Sequence, residues 1–182
     1  MLAQQDLAAQ YPNLFGPVTW GPVECRFALL VGAPPAELVS NITVVAFIGD
    51  RVAQVELEDG SLEIIGGTLE PGERYREAIE RELIEEAGAR LLSLEPFGAW
   101  NCHSSAAPPY RSQIPHPDFY RLVACAEIEI IGPPQVPEGG EPVRFVHLLT
   151  VEEAASSYRA QGRPELAELY LLAARVRRDD GR

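Results

Sequence analysis

The sequence predicts an α+β domain, and three observations carry this prediction: several short β-branched runs, an amphipathic helix mid-chain, and a second at the end. The chain has 182 residues, which corresponds to one domain of ordinary size. Its apolar fraction is 46% and its charged fraction is 23%. These values are typical of a globular chain that buries its own hydrophobic core.

The strand-like runs lie on both sides of the central helix and are separated by turns rich in glycine and proline. They cover residues 25–31, 42–48, 51–57, 62–65, 90–100, 119–131 and 143–149. The fourth is expected to end at Gly66-Gly67, and the fifth to break at Pro96. Residues 13–22 are expected to pack irregularly, and the prolines within 103–118 predict a loop there.

The central helix is predicted over residues 74–87. Apolar side chains recur there at every fourth position and form one stripe, which ends in Ala87. Gly88 is a typical residue for the end of a helix. Shorter helices are expected at residues 3–10 and 151–157, and a terminal amphipathic helix at 164–178, with Pro164 in its first turn.

The charge composition excludes several classes of function. The formal net charge is -12, and all 15 basic residues are arginines. Such an acidic chain is a poor candidate for binding duplex nucleic acid or anionic membranes. The absence of lysine excludes Schiff-base chemistry and P-loop phosphate transfer. No signal-like or membrane-spanning run is present, so a cytoplasmic location is expected.

The three cysteines, Cys25, Cys102 and Cys125, lie far apart in the sequence, and none has the spacing of a metal site. We expect them to be reduced and buried.

The negative charge is concentrated on the central helix and the loop before it, with seven acidic residues between Glu70 and Glu86. Glu82, Glu85 and Glu86 are spaced so that they project from one face of the helix. Carboxylates this close repel one another and raise one another's pKa unless a cation binds between them. Oxygen ligands select a hard cation such as Mg²⁺ or Mn²⁺. The plain alternative is a solvated acidic surface.

Residues 67–89, GTLEPGERYREAIERELIEEAGA, resemble the Nudix box. The matching positions are Gly67, Glu73, Arg81, Glu82, Leu83, Glu85, Glu86 and Gly88. Ala89 is smaller than the usual final aliphatic residue. The resemblance implies a Nudix-type α/β/α sandwich with a mixed sheet, formed by residues 41–182. Residues 1–40 would then be an N-terminal extension, packed on the core or at a dimer interface.

The resemblance also implies an activity, the Mg²⁺- or Mn²⁺-dependent hydrolysis of a nucleoside diphosphate linked to another moiety. The substrate would be a small molecule such as a nucleotide sugar, ADP-ribose, a dinucleotide or a nucleoside triphosphate. Glu82, Glu85 and Glu86, with Gly67, would hold the metal. Glu73 would pair with Arg81 and tie the loop to the helix. A homodimer is left open.

The general base and the substrate contacts are less closely defined. The catalytic candidates are Glu85 and Glu86 in the box, and Glu138 and Glu141 in the loop before the strand at 143–149. Four arginines are candidates for binding phosphate, and Tyr110 could stack on a base. These arginines are Arg26, Arg51, Arg111 and Arg121.

Two other functions are kept as alternatives. One is a Nudix-fold domain that binds a ligand without turnover, although such a domain would have no reason to keep so many close carboxylates. The other is an isomerase of a small prenyl diphosphate. That enzyme would need a cysteine in its pocket, and Cys102 is the candidate.

Overall fold

The computed structural model describes residues 4–32 and 34–179, and within these ranges one nine-stranded sheet is covered by five α-helices. The strands are β1 (Pro17–Trp20), β2 (Val23–Leu29), β3 (Val39–Ile48), β4 (Arg51–Leu57), β5 (Leu62–Glu63), β6 (Ile65–Thr68), β7 (Ala89–Ser104), β8 (Asp118–Ile130) and β9 (Val143–Leu149). The helices are α1 (Gln4–Gln10), α2 (Pro12–Phe15), α3 (Tyr75–Ala87), α4 (Val151–Ala160) and α5 (Pro164–Asp179).

The sheet is mixed, as expected. Its strand order is β1-β2-β7-β8-β3-β4-β5, with β6 paired to β3 and β9 paired to β4. Strands β3 and β8 run parallel, whereas the other pairs are antiparallel. Together with the helices on the sheet, this arrangement confirms the α+β class.

The sheet has a core on each face because side chains alternate along each strand. On one face, Ile42 and Val44 of β3 pack with Ile79 and Leu83 of α3. On the other face, Val45 and Phe47 belong to a core that also contains residues of α1, α2, α4 and α5. The three layers are therefore helix, sheet and helix.

Helix α3 follows its sequence signals closely. It begins after Arg74, whose backbone N–H donates to the Glu77 carboxylate at 2.9 Å. Its apolar stripe is fully buried at Ile79 and Leu83. It ends at Gly88, whose φ of 58° lies in the left-handed region that glycine adopts at low cost.

Three boundary predictions are wrong, and each failed because a distant strand decides the structure. Strand β6 continues through Gly66 and Gly67, since these residues pair with β3. Strand β7 passes Pro96 by means of a register shift between Pro96 and Gly98. Residues 13–22 are not irregular, because they contain most of α2 and all of β1, which pairs with β2.

The N-terminal segment is part of the same sheet and core. Strands β1 and β2 form a hairpin that extends the sheet beside β7. Leu7, Tyr11 and Leu14 of the first two helices are buried in the core shared with α5. Within the described ranges, no helix combines the length and hydropathy needed to cross a membrane.

The prediction of reduced cysteines is wrong for two of the three. Cys25 of β2 and Cys102 of β7 lie opposite each other in the sheet and form a disulfide. Both are buried. Their separation of 77 residues along the chain hid this pairing, since only strand register brings them together. Cys125 is buried on β8, with its Sγ 3.5 Å from the Ala173 carbonyl oxygen.

Candidate active site

Three glutamates of α3 face strand β6, and two of them contact its glycines. The Glu82 side chain lies so close to Gly67 that a Cβ on this residue would overlap the carboxylate. Glu86 accepts a hydrogen bond from the Gly66 backbone N–H at 3.0 Å. A side chain at position 67 would therefore displace the Glu82 carboxylate from this place.

Arg81 is the cation that holds these carboxylates together. Its Nε lies 3.0 Å from Glu73 Oε1, and a terminal nitrogen lies 3.0 Å from Glu73 Oε2. The other terminal nitrogen lies 2.8 Å from Glu82 and 3.3 Å from Glu85. Arg81 also donates to the Thr68 carbonyl oxygen at 3.3 Å. The expected Arg81–Glu73 pair is therefore present, and one guanidinium serves three carboxylates.

The cluster carries more negative charge than Arg81 neutralises. Burial raises the pKa of Glu86 to about 8, and repulsion from Glu82, Glu85 and Glu141 adds to the rise, against the Gly66 hydrogen bond. Burial also raises the pKa of Glu82, although Arg81 opposes it. For Glu73, burial is outweighed by hydrogen bonds from Arg81 and the Glu70 backbone, so its pKa is lowered.

The donor set suits a hard divalent cation, because it consists of buried carboxylate oxygens with excess negative charge. As they stand, no three acidic, histidine or cysteine side chains in the described ranges converge as a ready metal site. In this arrangement an Arg81 nitrogen bridges the Glu82 and Glu85 carboxylates. Glu82, Glu85 and Glu86 are the residues that would hold the ion, and a contribution from the Gly67 carbonyl stays a prediction.

The two loop glutamates differ in their relation to this cluster. Glu141 is close enough to Glu86 to raise its pKa by repulsion. Glu138 is not among the groups that shift this pKa. Of the two candidates for the base, Glu141 is therefore the one that the fold brings to the carboxylates.

A cavity of about 520 Å³ lies on the sheet face opposite α3. Strands β3, β6 and β8 contribute three of its polar residues, Asn41, Thr68 and Arg121, while Trp20 and Phe119 form part of its apolar wall. The Asn41 amide donates to the Thr68 hydroxyl at 2.9 Å. Thr68, which lines the cavity, directly follows Gly67, which contacts Glu82, so the backbone of β6 connects the cavity to the carboxylate cluster.

The structure brings only some of the predicted substrate residues to this cavity. Tyr110 lines it, and the Tyr110 hydroxyl lies 3.4 Å from Asn41 Oδ1. Arg26 lines a separate, smaller pocket of about 350 Å³. Arg51 pairs with Glu153 at 3.7 Å, and Arg111 is exposed in the loop. None of these three arginines is among the described residues that line the cavity.

Sequence reasoning missed three of the lining residues, Trp20, Asn41 and Thr68. Trp20 lies in the segment that was expected to be irregular. Asn41 and Thr68 carry no motif, and their contact arises from the pairing of β3 with β6. The only signal for any of the three was the position of Thr68 next to Gly67, which could have indicated that Thr68 lies near the site.

The raised pKa of Glu86 predicts how the stability of the metal-free protein depends on pH. The folded state holds the Glu86 proton more tightly than the unfolded chain, whose ordinary pKa is 4.5. The stabilisation is therefore complete below pH 4.5 and is lost as the pH rises towards 8. In EDTA, the free energy of unfolding should fall by at most about 1.4 kcal/mol per pH unit over this interval.

Urea unfolding at a series of pH values measures this dependence. The variant Glu86→Gln removes the titrating group and should flatten the profile between pH 5 and 8. A wild-type free energy of unfolding that rises over this interval would contradict the assignment.

Comparisons with known proteins agree with the fold and the box. The family model of the NUDIX domain matches residues 49–172, most of the chain. A comparison with curated proteins gives no match. A solved NUDIX hydrolase from Nitrosomonas europaea is 19% identical, with a TM-score of 0.56, and the match covers 76% of this chain and 89% of that one.

A mutant of the Bacillus subtilis pyrophosphohydrolase BsRppH is 23% identical, with a TM-score of 0.53, over 69% of this chain and 72% of that one. At these identities the structural likeness shows the fold, whereas the family model shows the family. The expectation of a Nudix hydrolase is confirmed at this level, and the chain belongs to the Nudix family.

Proposed function

We propose that this chain is a Mg²⁺- or Mn²⁺-dependent hydrolase that cleaves the diphosphate linkage of a nucleoside diphosphate joined to another moiety. The observation that carries the proposal is the part-buried cluster of Glu82, Glu85 and Glu86, which Gly67 and Thr68 of β6 connect to a cavity of small-molecule size. Nucleotide sugars, ADP-ribose, dinucleotides and nucleoside triphosphates are the substrate classes that we consider.

The chain's own residues have distinct parts in this reaction. Glu82, Glu85 and Glu86 would hold the cation, which when bound would neutralise charge on the diphosphate and lower the pKa of a nearby water. Glycine at position 67 lets β6 approach the cluster closely. Arg81 and Glu73 fix the loop against α3. These contacts position the carboxylates without touching the substrate.

We propose Glu141 as the general base, because it is the loop glutamate that interacts with Glu86. Glu141→Gln should lower kcat by about 10²- to 10⁴-fold and leave the affinity for Mn²⁺ within about twofold. Steady-state kinetics and Mn²⁺ binding by electron paramagnetic resonance test both points. The matched variant Glu138→Gln removes the same charge from the same loop. A larger loss of kcat in Glu138→Gln than in Glu141→Gln would identify Glu138 as the base instead.

The activity itself is tested with a panel of substrates in the presence of Mg²⁺. The panel contains nucleotide sugars, dinucleoside polyphosphates, ADP-ribose, NADH and deoxynucleoside triphosphates, and the products are identified by chromatography. We expect at least one compound to be cleaved within its diphosphate or polyphosphate linkage. If none is cleaved with either Mg²⁺ or Mn²⁺, the binding-domain alternative replaces the proposal.

The isomerase alternative loses its support. That reaction would need a cysteine thiol in the pocket, and Cys102 was the candidate. In the structure Cys102 is buried and bonded to Cys25. No specific observation therefore favours a second enzymatic function.

A further inference from the structure

Arg121 is a charged side chain in the cavity wall without a compensating anion. It lies on β8, lines the cavity and is largely buried, and this burial lowers its pKa. Its Nε is buried without a hydrogen-bond partner, and no carboxylate pairs with it within the described ranges. An uncompensated buried charge is costly to a folded protein.

The groups around Arg121 do not compensate its buried charge. Its guanidinium carbon lies 4.4 Å from the centre of the Trp20 ring, and a cation–π contact is weaker than a buried ion pair. On the adjacent strand β7, Trp100 is the register partner of Arg121, and its indole nitrogen is also a buried donor without an acceptor. Arg121 Nε is therefore a buried donor in the cavity wall that lacks an acceptor, which indicates that an acceptor-bearing group belongs beside it.

The position of Arg121 separates this group from the proposed site of cleavage. Arg121 pairs in register with Asn41 of β3, which in turn pairs with Thr68 of β6. Two strand spacings place the Arg121 and Thr68 backbones about 10 Å apart. Thr68 adjoins Gly67 at the carboxylate cluster. The Arg121 side chain contacts Trp20 of the core on the sheet face opposite α3, so a group bound to it lies across the sheet from the α3 carboxylates.

We propose that Arg121 binds a second anionic group of the substrate, a phosphate or a carboxylate separate from the scissile diphosphate. This inference rests on the proposed function. Arg121 is then a specificity-determining residue that selects substrates with an extra negative charge on one of the two moieties. Its five N–H donors suit both phosphate and carboxylate oxygens.

Substrate pairs that differ only in the extra anion test the proposal. NADPH with NADH and coenzyme A with its dephospho form test a phosphate, while UDP-glucuronate with UDP-glucose tests a carboxylate. In at least one pair, the member with the extra anion should have a higher kcat/KM by at least about tenfold, as a charge-assisted hydrogen bond predicts. The pair that shows the preference identifies the anion.

The Arg121→Gln variant should lower kcat/KM more for the member with the extra anion than for its counterpart, and so remove this preference. Arg121→Lys should keep part of the preference, because it keeps the charge. The matched control is Arg90→Gln, which removes an exposed arginine from β7 that pairs with Glu129 and should keep the full preference. Equal losses on both members of every pair in Arg121→Gln would overturn the proposal.

A binding measurement without metal separates this proposal from the proposed function. The chain has two tryptophans, Trp20 and Trp100, and both lie beside Arg121. In EDTA, coenzyme A or UDP-glucuronate should change the tryptophan fluorescence at a concentration at least about tenfold lower than the counterpart that lacks the extra anion. Selective binding without hydrolysis would support the role of Arg121 and overturn the proposed function. Hydrolysis without any selectivity would support the proposed function and overturn the role of Arg121.

The stability of the ligand-free protein gives a further readout. If Arg121 serves a ligand, replacing it with glutamine removes a costly buried charge, and the Tm should rise. If Arg121 only braces Trp20, the Tm should fall. A lower Tm together with unchanged substrate selectivity would overturn the proposal.

Discussion

Replacing Glu86 with glutamine is expected to lower the kcat for diphosphate hydrolysis by about 10²- to 10⁴-fold, with a matching loss of Mn²⁺ affinity. Glu86 is the acid in the cluster with the pKa of about 8, and it contacts the Gly66 backbone. At neutral pH a cation must displace the Glu86 proton, and the negative charge so formed binds the cation. Glutamine cannot provide that charge.

The substitution is well suited to separate chemistry from folding. The glutamine oxygen can still accept the Gly66 N–H, so we expect the variant to unfold near the wild-type temperature at pH 6. Glu80→Gln is the matched control, since Glu80 is an exposed residue of the same helix that pairs with Arg76 at 3.0 Å. Its kcat should stay within about twofold of wild type. Wild-type activity and wild-type Mn²⁺ binding in Glu86→Gln would contradict the assigned site.

The carboxylate cluster could be predicted because its determinants are local. The spacing of Glu82, Glu85 and Glu86 places them on one helix face whatever the rest of the fold does. The apolar stripe fixes which side of α3 is buried, and Gly88 fixes where the helix ends. The box motif then supplied the Arg81–Glu73 pair, which spans only eight residues.

The cavity could not be predicted, because its walls meet through strand register. Trp20 contacts Arg121 because the β1–β2 hairpin lies beside β7, which in turn lies beside β8. No local pattern encodes such pairings over long separations. The disulfide between Cys25 and Cys102 depends on the same register. The irregular structure expected for residues 13–22 therefore hid the Trp20 wall of the cavity, while the sequence separation of the two cysteines hid the disulfide.

The arginine candidates show that the sequence also could not predict the contacts of single side chains. The sequence correctly placed Arg26, Arg51 and Arg121 on strands, yet it could not say what each side chain contacts. Arg51 lies beside Glu153 of α4, which already partners its charge. Arg121 lines the cavity without such a partner. Only the assembled fold separates an arginine that is paired from one that is available to a ligand.

Arg81→Gln is expected to destabilise the metal-free protein by about 2–4 kcal/mol, because breaking a buried ion pair leaves the partner charges uncompensated. Arg81 contacts Glu73, Glu82 and Glu85, and only 24% of its side chain is exposed. The matched control, Arg76→Gln, removes an exposed pair with Glu80 on the same helix. That change should cost less than about 0.5 kcal/mol.

Divalent metal should restore part of the stability that Arg81→Gln loses. Glu82 and Glu85 share one Arg81 nitrogen in the metal-free structure, so a cation bound between these carboxylates supplies the positive charge that the variant lacks. Urea unfolding in EDTA and in excess Mg²⁺ should thus give a smaller difference between variant and wild type when metal is present. An equal loss in both conditions would mean that Arg81 acts only through Glu73, and that the metal binds to other groups.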